Sequence, residues 1–296
     1  MPEGHSIHRL AHQFTELFSG KVVAVTSPQG RFSDGARLLD GQTITGAYAH
    51  GKHLFICFDH DLTLNVHLGI YGAWTFGGEH FIGSTAIGAP RKAQEIEQTG
   101  QRLVATAPAE VAPTTRARII ADTCWADLVG AMTCRVLTPE QVANVRAELG
   151  QDPLSQDSSV ETFYGSLKRT SRPIAVVLMD QKIISGVGNI FRAESLFRQG
   201  IDPMRPARDL SLDEALLLWE DLSDLLRVGV RLGKIVTTRD EHRAGIPLED
   251  AWPNAAYYVY QRQGQNCLLC SSSIAMKELA GRKLYWCPQC QCSLAV

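Results

Sequence analysis

Residues 178–197 read LMDQKIISGVGNIFRAESLF. The run changes character twice. RPIAVVLMDQK (172–182) carries Pro173 near a helix start, ISGVGN (184–189) is a glycine-rich turn, and NIFRAESLFRQG (189–200) has helical apolar spacing and stops at Gly200. Glycines in such a turn let backbone N–H groups approach a phosphate, and the following helix directs the positive end of its dipole the same way. Asn189 is expected to cap that helix and to reach a phosphate oxygen. A third helix is expected over 210–233, followed by a long polar loop, TTRDEHRAGIPLEDAWPN (237–254), expected to be mobile.

Charge around this segment is segregated, although the 296-residue chain has a net charge of only −2. Residues 162–208 hold eight basic side chains, including Lys168, Lys182, Arg192 and Arg205, against three acids. Residues 209–224 hold six acids and no Lys or Arg, and 225–239 hold four bases and no acid. Such blocks are either a solvated helical surface or one basic groove wall with an acidic back. The near-neutral total means that any nucleic-acid contact must rest on local clusters. At 45% hydrophobic residues the chain can bury real cores, and its length fits two domains with a small appendage. No apolar run approaches a membrane span, and His5, His8, Arg9 and His12 interrupt any secretory pattern. The expectation is a cytoplasmic monomer with reduced thiols and no membrane partner.

Five of the eight cysteines crowd the last thirty residues. Cys267-x2-Cys270, sixteen residues, then Cys287-x2-Cys290 has the spacing of a zinc site. Each pair can sit on a tight turn that aims two thiolates at one tetrahedral ion, and four cysteines close the site, so the zinc is structural. Cys292 is a spare. The flanks NCLLC and KLYWC suggest a β-hairpin finger with Gly281-Arg282-Lys283 at its turn, either a phosphate-contacting tip or an ordinary solvated turn.

Upstream, KVVAVTS (21–27), KHLFICF (52–58), LTLNVHL (62–68), YGAWTF (71–76) and RLVAT (102–106) are short β-rich runs broken by Gly, Pro, Asp and Asn, which reads as a mostly antiparallel β-domain. PEQVANVRAELG (139–150) reads as a helix and GQDPLSQDSS as a polar linker. At the start, GHSIHRLAHQFTELFS (4–19) has helical apolar spacing and ends at Gly20. MPEG then places Pro2 just before a helix N-terminus. Pro2 is either a helix leader or, once Met1 is removed, a secondary amine nucleophile beside the Glu3 carboxylate. The helix dipole there disfavours a protonated amine.

Taken together these residues resemble the Fpg/Nei family of DNA glycosylases, along nearly the whole chain. MPEG resembles the family's MPEGPE or MPELPE start, and GKHLF its lysine turn. HLGIYG resembles its HLGMSG or QLYG loop. LGQDPL and LMDQKIISGVGNIFRAESLF resemble its helix–two-turn–helix segment, and VYQRQGQNCLLC with GRKLYWCPQC its zinc finger. The implied fold is α+β and multidomain. An N-terminal antiparallel β-sandwich with an N-terminal helix spans 1–137, a linker 138–158, a helix–two-turn–helix domain 159–256 and a β-hairpin zinc finger 257–296.

The implied partner is damaged double-stranded DNA bound between the two domains. By this resemblance the Pro2 nitrogen attacks C1′ of a damaged nucleotide, Glu3 shuttles protons, and Lys52 assists base loss and contacts the adjoining phosphate. β- and δ-eliminations follow. A flipped-out base leaves a gap in the stack, and Ile70 and Tyr71 are the implied wedges. Lys168, Asn189, Arg192 and Arg282 are the implied DNA contacts. The DPRRFG-like loop of Fpg-type enzymes has no counterpart, since that region reads CWADLVGAM, and Arg192 three after Asn189 resembles the Nei branch. Oxidised pyrimidines are therefore the implied substrates. His5-Ser6 departs from the family's Pro-Glu, which raises two alternatives: a lyase that prefers abasic sites, or a non-catalytic lesion binder on the same scaffold. An unrelated zinc-finger transcription factor is a third reading.

Overall fold

The computed structural model describes residues 2–78, 85–89 and 111–292. Met1 and the strand expected at 102–106 lie outside the described residues. The chain divides into two compact units, Met1–Ala147 and Glu148–Val296.

The first unit begins with α1 (Gly4–Phe18), β1 (Lys21–Val22), β2 (Ala24–Thr26), α2 (Ser33–Leu39), β3 (Thr43–His50), β4 (His53–Phe58) and β5 (Thr63–His67). It continues with β6 (Ala73–Gly78), β7 (Thr85–Gly88), β8 (Thr115–Ala121), β9 (Cys124–Val129), β10 (Thr133–Leu137) and α3 (Pro139–Ala147). The strands form two five-stranded sheets, in the orders β1-β3-β4-β5-β10 and β2-β8-β9-β6-β7. All their pairings are antiparallel. Leu54, Ile56, Leu64 and Val66 of the first sheet and Trp74, Phe76, Ile119 and Leu128 of the second share one buried cluster with Ile7, Leu10, Phe14 and Phe18 of α1. The Phe14 ring stands edge-on to Trp74 at 4.8 Å and Phe76 at 5.2 Å. Each of these fully buried side chains contributes about 1.5–3 kcal/mol.

Helix α2 is absent from the sequence reading. Gly35, a helix breaker by propensity, sits inside it because the Phe32 ring occupies the space where a side chain would start, 2.2 Å from an ideal Cβ. The expected linker 138–158 is divided. Residues 139–147 form α3 in the first unit, where Arg146 stacks on Tyr48. Residues 150 and 151 instead pair with the second unit through Gly150 N–H to Gln181 O and Ser185 N–H to Gln151 O.

The second unit holds α4 (Val160–Lys168), α5 (Ile174–Val177), α6 (Asn189–Arg198), α7 (Leu212–Leu232), β11 (Ala275–Leu279) and β12 (Arg282–Trp286). Pro173 precedes α5, and α7 opens on a capping box between Ser211 and Glu214 and closes on Gly233 in the left-handed region. Phe163, Leu178, Phe191, Leu196, Leu218 and Leu222 make its core, and Leu284 of the β11–β12 hairpin is buried with them. The loop expected to be mobile holds two short 3₁₀ turns, Asp240–His242 and Leu248–Asp250. Its neck is closed by Thr237 N–H to Ala256 O and Thr238 Oγ1 to Ala255 O. Among the described residues no helix is long and apolar enough to cross a membrane.

Candidate functional site

Pro2 and Glu3 are both buried, immediately before α1, and Glu3 is the residue from which the helix starts. A carboxylate there is favoured by the helix dipole. His5 follows inside the first turn, 4% exposed, with Nε2 3.1 Å from the Ser6 hydroxyl. Its pKa is pushed down to about 3, first by burial and then by the positive chain terminus, Arg9 and His8. His5 is thus a neutral imidazole in the protein's interior.

Lys52 lies in the two-residue turn between β3 and β4, where His50 pairs with His53 and Gly51 takes φ 58°. Two contacts set the register of α1 along β3: Thr15 Oγ1 with the Ala47 backbone and Ser19 Oγ with Thr45 O. The helix therefore runs antiparallel to the strand. From Thr15 back to Glu3 the helix covers about 18 Å, and from Ala47 forward to His50 the strand covers about 10 Å, with the Gly51-Lys52 turn beyond it. The start of α1 and the Lys52 turn therefore lie toward the same end of the α1–β3 pair.

Beside Lys52, His53 and His67 face each other across β4 and β5 with ring centroids 4.9 Å apart. Burial and the neighbouring His67 take His53 down to about 4. His67 is lowered by burial and by the Lys52 charge. His67 Nδ1 accepts the Gly69 N–H at 3.1 Å, which anchors the loop that follows β5. That loop presents Ile70 and Tyr71, 42% and 78% exposed. Met132, from the β9–β10 turn, lies against Gly69 and is 68% exposed. Met132 thus stands exposed beside the loop that presents Ile70 and Tyr71. Met132 escaped the sequence reading because its neighbours come from a strand more than fifty residues earlier.

In the second unit several expected contacts are redirected inward. Gly188, not Asn189, is the N-cap of α6. The Gly186 N–H is taken by Gln181 Oε1 at 3.0 Å. Asn189 Nδ2 donates to Lys283 O at 2.9 Å, and its Oδ1 accepts from Arg192. Arg192, an implied DNA contact, is fully buried, with its guanidinium donating to Ala175 O and Lys283 O. Lys168 donates to Arg208 O and Leu210 O at 2.7 and 2.8 Å and stands over the Tyr164 ring, so two of its N–H groups bind the chain itself. Arg282, the first residue of β12, is exposed, as is Lys168, whereas Asn189 and Arg192 are buried.

Glu194 carries an arrangement that sequence reasoning missed. Fully buried on α6, its carboxylate accepts the backbone N–H groups of Tyr258, Val259 and Tyr260 at 2.7–2.8 Å and the Thr237 hydroxyl at 2.5 Å. Burial raises its pKa, and these donors oppose the rise. The bonds hold the chain where it enters the finger.

The four cysteines converge. Their Sγ atoms of Cys267, Cys270, Cys287 and Cys290 all lie within 4.8 Å of one another. The Cys267–Cys290 and Cys270–Cys287 separations are 3.8 and 3.4 Å. A tetrahedral ion with Zn–S bonds of about 2.3 Å requires sulfurs about 3.8 Å apart. Leu269 N–H points to Cys267 Sγ and Cys290 N–H to Cys287 Sγ, both at 3.4 Å, as thiolate ligands on tight turns require. The donor set fits a metal ion, and all-sulfur tetrahedral ligation suits zinc.

Residues 1–120 match the family model described as the formamidopyrimidine-DNA glycosylase N-terminal domain, and residues 149–241 match its H2TH domain. With the paired sheets, the glycine-rich turn before α6 and the four-cysteine hairpin, this settles the class: the chain belongs to the Fpg/Nei family, the DNA glycosylases of base excision repair. Within it, the chain is similar over its full length to the proteins called Endonuclease 8 1 of Mycobacterium tuberculosis and Mycobacterium bovis, at 39% identity over 98% of this chain and 100% of each relative. Formamidopyrimidine-DNA glycosylase of Thermus thermophilus is 36% identical over 48% of this chain and 53% of its own length. Lactococcus lactis Fpg, solved with abasic-site DNA, shares the fold with a TM-score of 0.75, covering 98% of this chain and 100% of that one at 19% identity.

Proposed function

We propose that the chain is a bifunctional DNA glycosylase and abasic-site lyase that uses Pro2 as its nucleophile. The observation that carries the reading is the antiparallel register of α1 on β3, which brings Glu3, with Pro2 beside it, and the Lys52 turn toward the same end of that pair. Removal of Met1 turns the Pro2 nitrogen into a secondary amine, which the helix dipole keeps unprotonated. That nitrogen bonds to C1′ of the damaged nucleotide as the glycosidic bond breaks, and the base leaves with the bonding electrons and a proton. The proton of the former Pro2 N–H passes by way of Glu3 to the sugar's O4′ as the C1′–O4′ bond breaks, and the open-chain iminium left at C1′ makes the C2′ proton acidic. Its loss expels the 3′ phosphate, and a second elimination expels the 5′ phosphate. Glu3 moves the protons, and the Lys52 ammonium faces the adjoining phosphate. Ile70 and Tyr71 fill the stack vacated by the flipped nucleotide, with Met132 beside them. Arg282 meets a phosphate from the finger, whose four cysteines hold one structural zinc.

The substrate is damaged duplex DNA, and the full-length similarity to proteins called endonuclease 8 supports oxidised pyrimidines as the lesions. The protein acts as a cytoplasmic monomer. The buried, neutral His5 with Ser6, where the family has Pro-Glu, favours a balance shifted toward abasic-site cleavage. Borohydride should trap the protein on abasic-site duplex, and mass spectrometry should show a chain starting at Pro2. Pro2→Gly should lose most of the adduct. A Met1-free protein that gives no adduct refutes the reading. Base release and strand cutting, scored separately on single-lesion duplexes, decide the balance.

A further inference from the structure

Helix α6 holds the finger at three heights. Glu194 grips the entering chain at residues 258–260, and Gln291 Nε2 in the second cysteine turn donates to Ile201 O at 3.0 Å, just past the helix end. The third grip is different in kind. Asn189 and Arg192, one turn apart, both donate to the same backbone oxygen, Lys283 O, at 2.9 and 3.2 Å. Lys283 stands in β12 opposite Glu278, between buried Leu284 and exposed Arg282. The Arg192 guanidinium also reaches Ala175 O in α5 at 3.3 Å and Asn189 Oδ1.

We propose that Arg192 is a positioning residue for DNA binding: from the interior it fixes the backbone at Lys283 and thereby the height at which Arg282 meets a phosphate. The inference rests on the reading of Arg282 as a phosphate contact given above. A guanidinium presents five donors in a rigid planar fork and can join α5, α6 and β12 at once, whereas an ammonium on a flexible stem cannot hold that geometry. Burying a full charge is costly and rarely the most stable choice, so its use at this point argues for placement and not for stability alone. Attachment of the finger does not depend on it, because Glu194 and Gln291 hold the finger's base independently, and the cysteine cluster closes the finger on itself. Losing Arg192 should therefore leave the finger in place and misplace its tip.

The test is a double-mutant cycle on the full, zinc-loaded chain, with Arg192→Lys, Arg282→Ala and the double variant. Affinity is read by fluorescence anisotropy on a duplex carrying a tetrahydrofuran abasic analogue, across a salt series, with zinc content and melting temperature measured alongside. Arg282→Ala should weaken binding about tenfold and reduce the salt slope by about one. Arg192→Lys should retain zinc, weaken binding by a similar factor and show the same reduced slope. The double variant should bind no more weakly than either single one. A double variant about a hundredfold weaker than wild type, or Arg192→Lys binding with the wild-type slope, overturns the proposal. Wild-type binding by Arg282→Ala overturns the phosphate-contact reading beneath it. If Arg192→Lys loses zinc, Arg192→Gln, whose amide can still donate to Lys283 O, carries the same cycle.

Discussion

Replacing Glu194 separates two ways of losing the finger's anchor. In Glu194→Ala the N–H groups of Tyr258, Val259 and Tyr260 lose their acceptor together inside the protein. Three buried N–H donors left without an acceptor, at about 1–3 kcal/mol each, cost about 3–5 kcal/mol together when water enters the space the side chain leaves. Glu194→Gln keeps the shape. With its oxygen at the Oε1 side it still accepts Val259 and Tyr260 N–H. On the Oε2 side the Thr237 hydroxyl can turn to accept from the new NH₂ while still donating to Ala256 O, 2.9 Å away. Only the Tyr258 N–H then faces another donor, a loss of about 1–3 kcal/mol. For a unit of this size each kcal/mol moves the melting temperature about 2–4 °C. The expected losses are thus about 2–12 °C for the glutamine variant and about 6–20 °C for the alanine variant. Release of zinc to a colorimetric chelator during heating reports the second unit without interference from the first. Equal losses in the two variants, or none in either, would refute the four-donor account of this carboxylate.

The β11–β12 turn consists of Ala280 and Gly281, at φ 49° and 72°, so alanine occupies a left-handed position that suits Asn or Gly. Ala280→Asn should stabilise the hairpin by about 1 kcal/mol; a fall in the zinc-release temperature would contradict the turn assignment. His5 and His53 are held neutral, at about 3 and about 4, against 6.5 in an unfolded chain. As pH falls below 6.5 the unfolded state takes up protons first, so stability is complete above that pH, is lost on the way down, and levels off below the folded values. The slope is at most about 1.4 kcal/mol per pH unit for each histidine. Urea midpoints between pH 7 and 4 should fall less steeply in His5→Gln, and an unchanged slope would rule out the buried neutral imidazole.

Patterns that are local in sequence translate directly into structure. The apolar spacing of residues 7, 10, 14 and 18 yields the core face of α1, Ser211 with Glu214 yields the start of α7, and the CxxC pairs yield the thiol cluster. The failures share one physical cause. Residue type states what a side chain can donate, and topology states where the acceptor is. Lys168 and Arg192 are basic residues on helices, and their charge together with the family resemblance pointed them to DNA. Their acceptors are carbonyls 40 and 42 residues away for Lys168, and 91 residues away for the Arg192–Lys283 bond. Glu194 was read only as one of three acids offsetting a basic block, yet its donors lie 43 to 66 residues on. Gly35 failed in the opposite sense, because the ring that excludes a side chain there is only three residues away but acts through space and not through propensity. The sites that decide function inherit this limit unevenly. Pro2 and Glu3, in the role proposed for them, act through adjacency at a helix end, and that adjacency is legible. The proposed phosphate-facing height of Arg282 rests on an interior arginine whose bond to Lys283 O no pattern of charges along the chain announces.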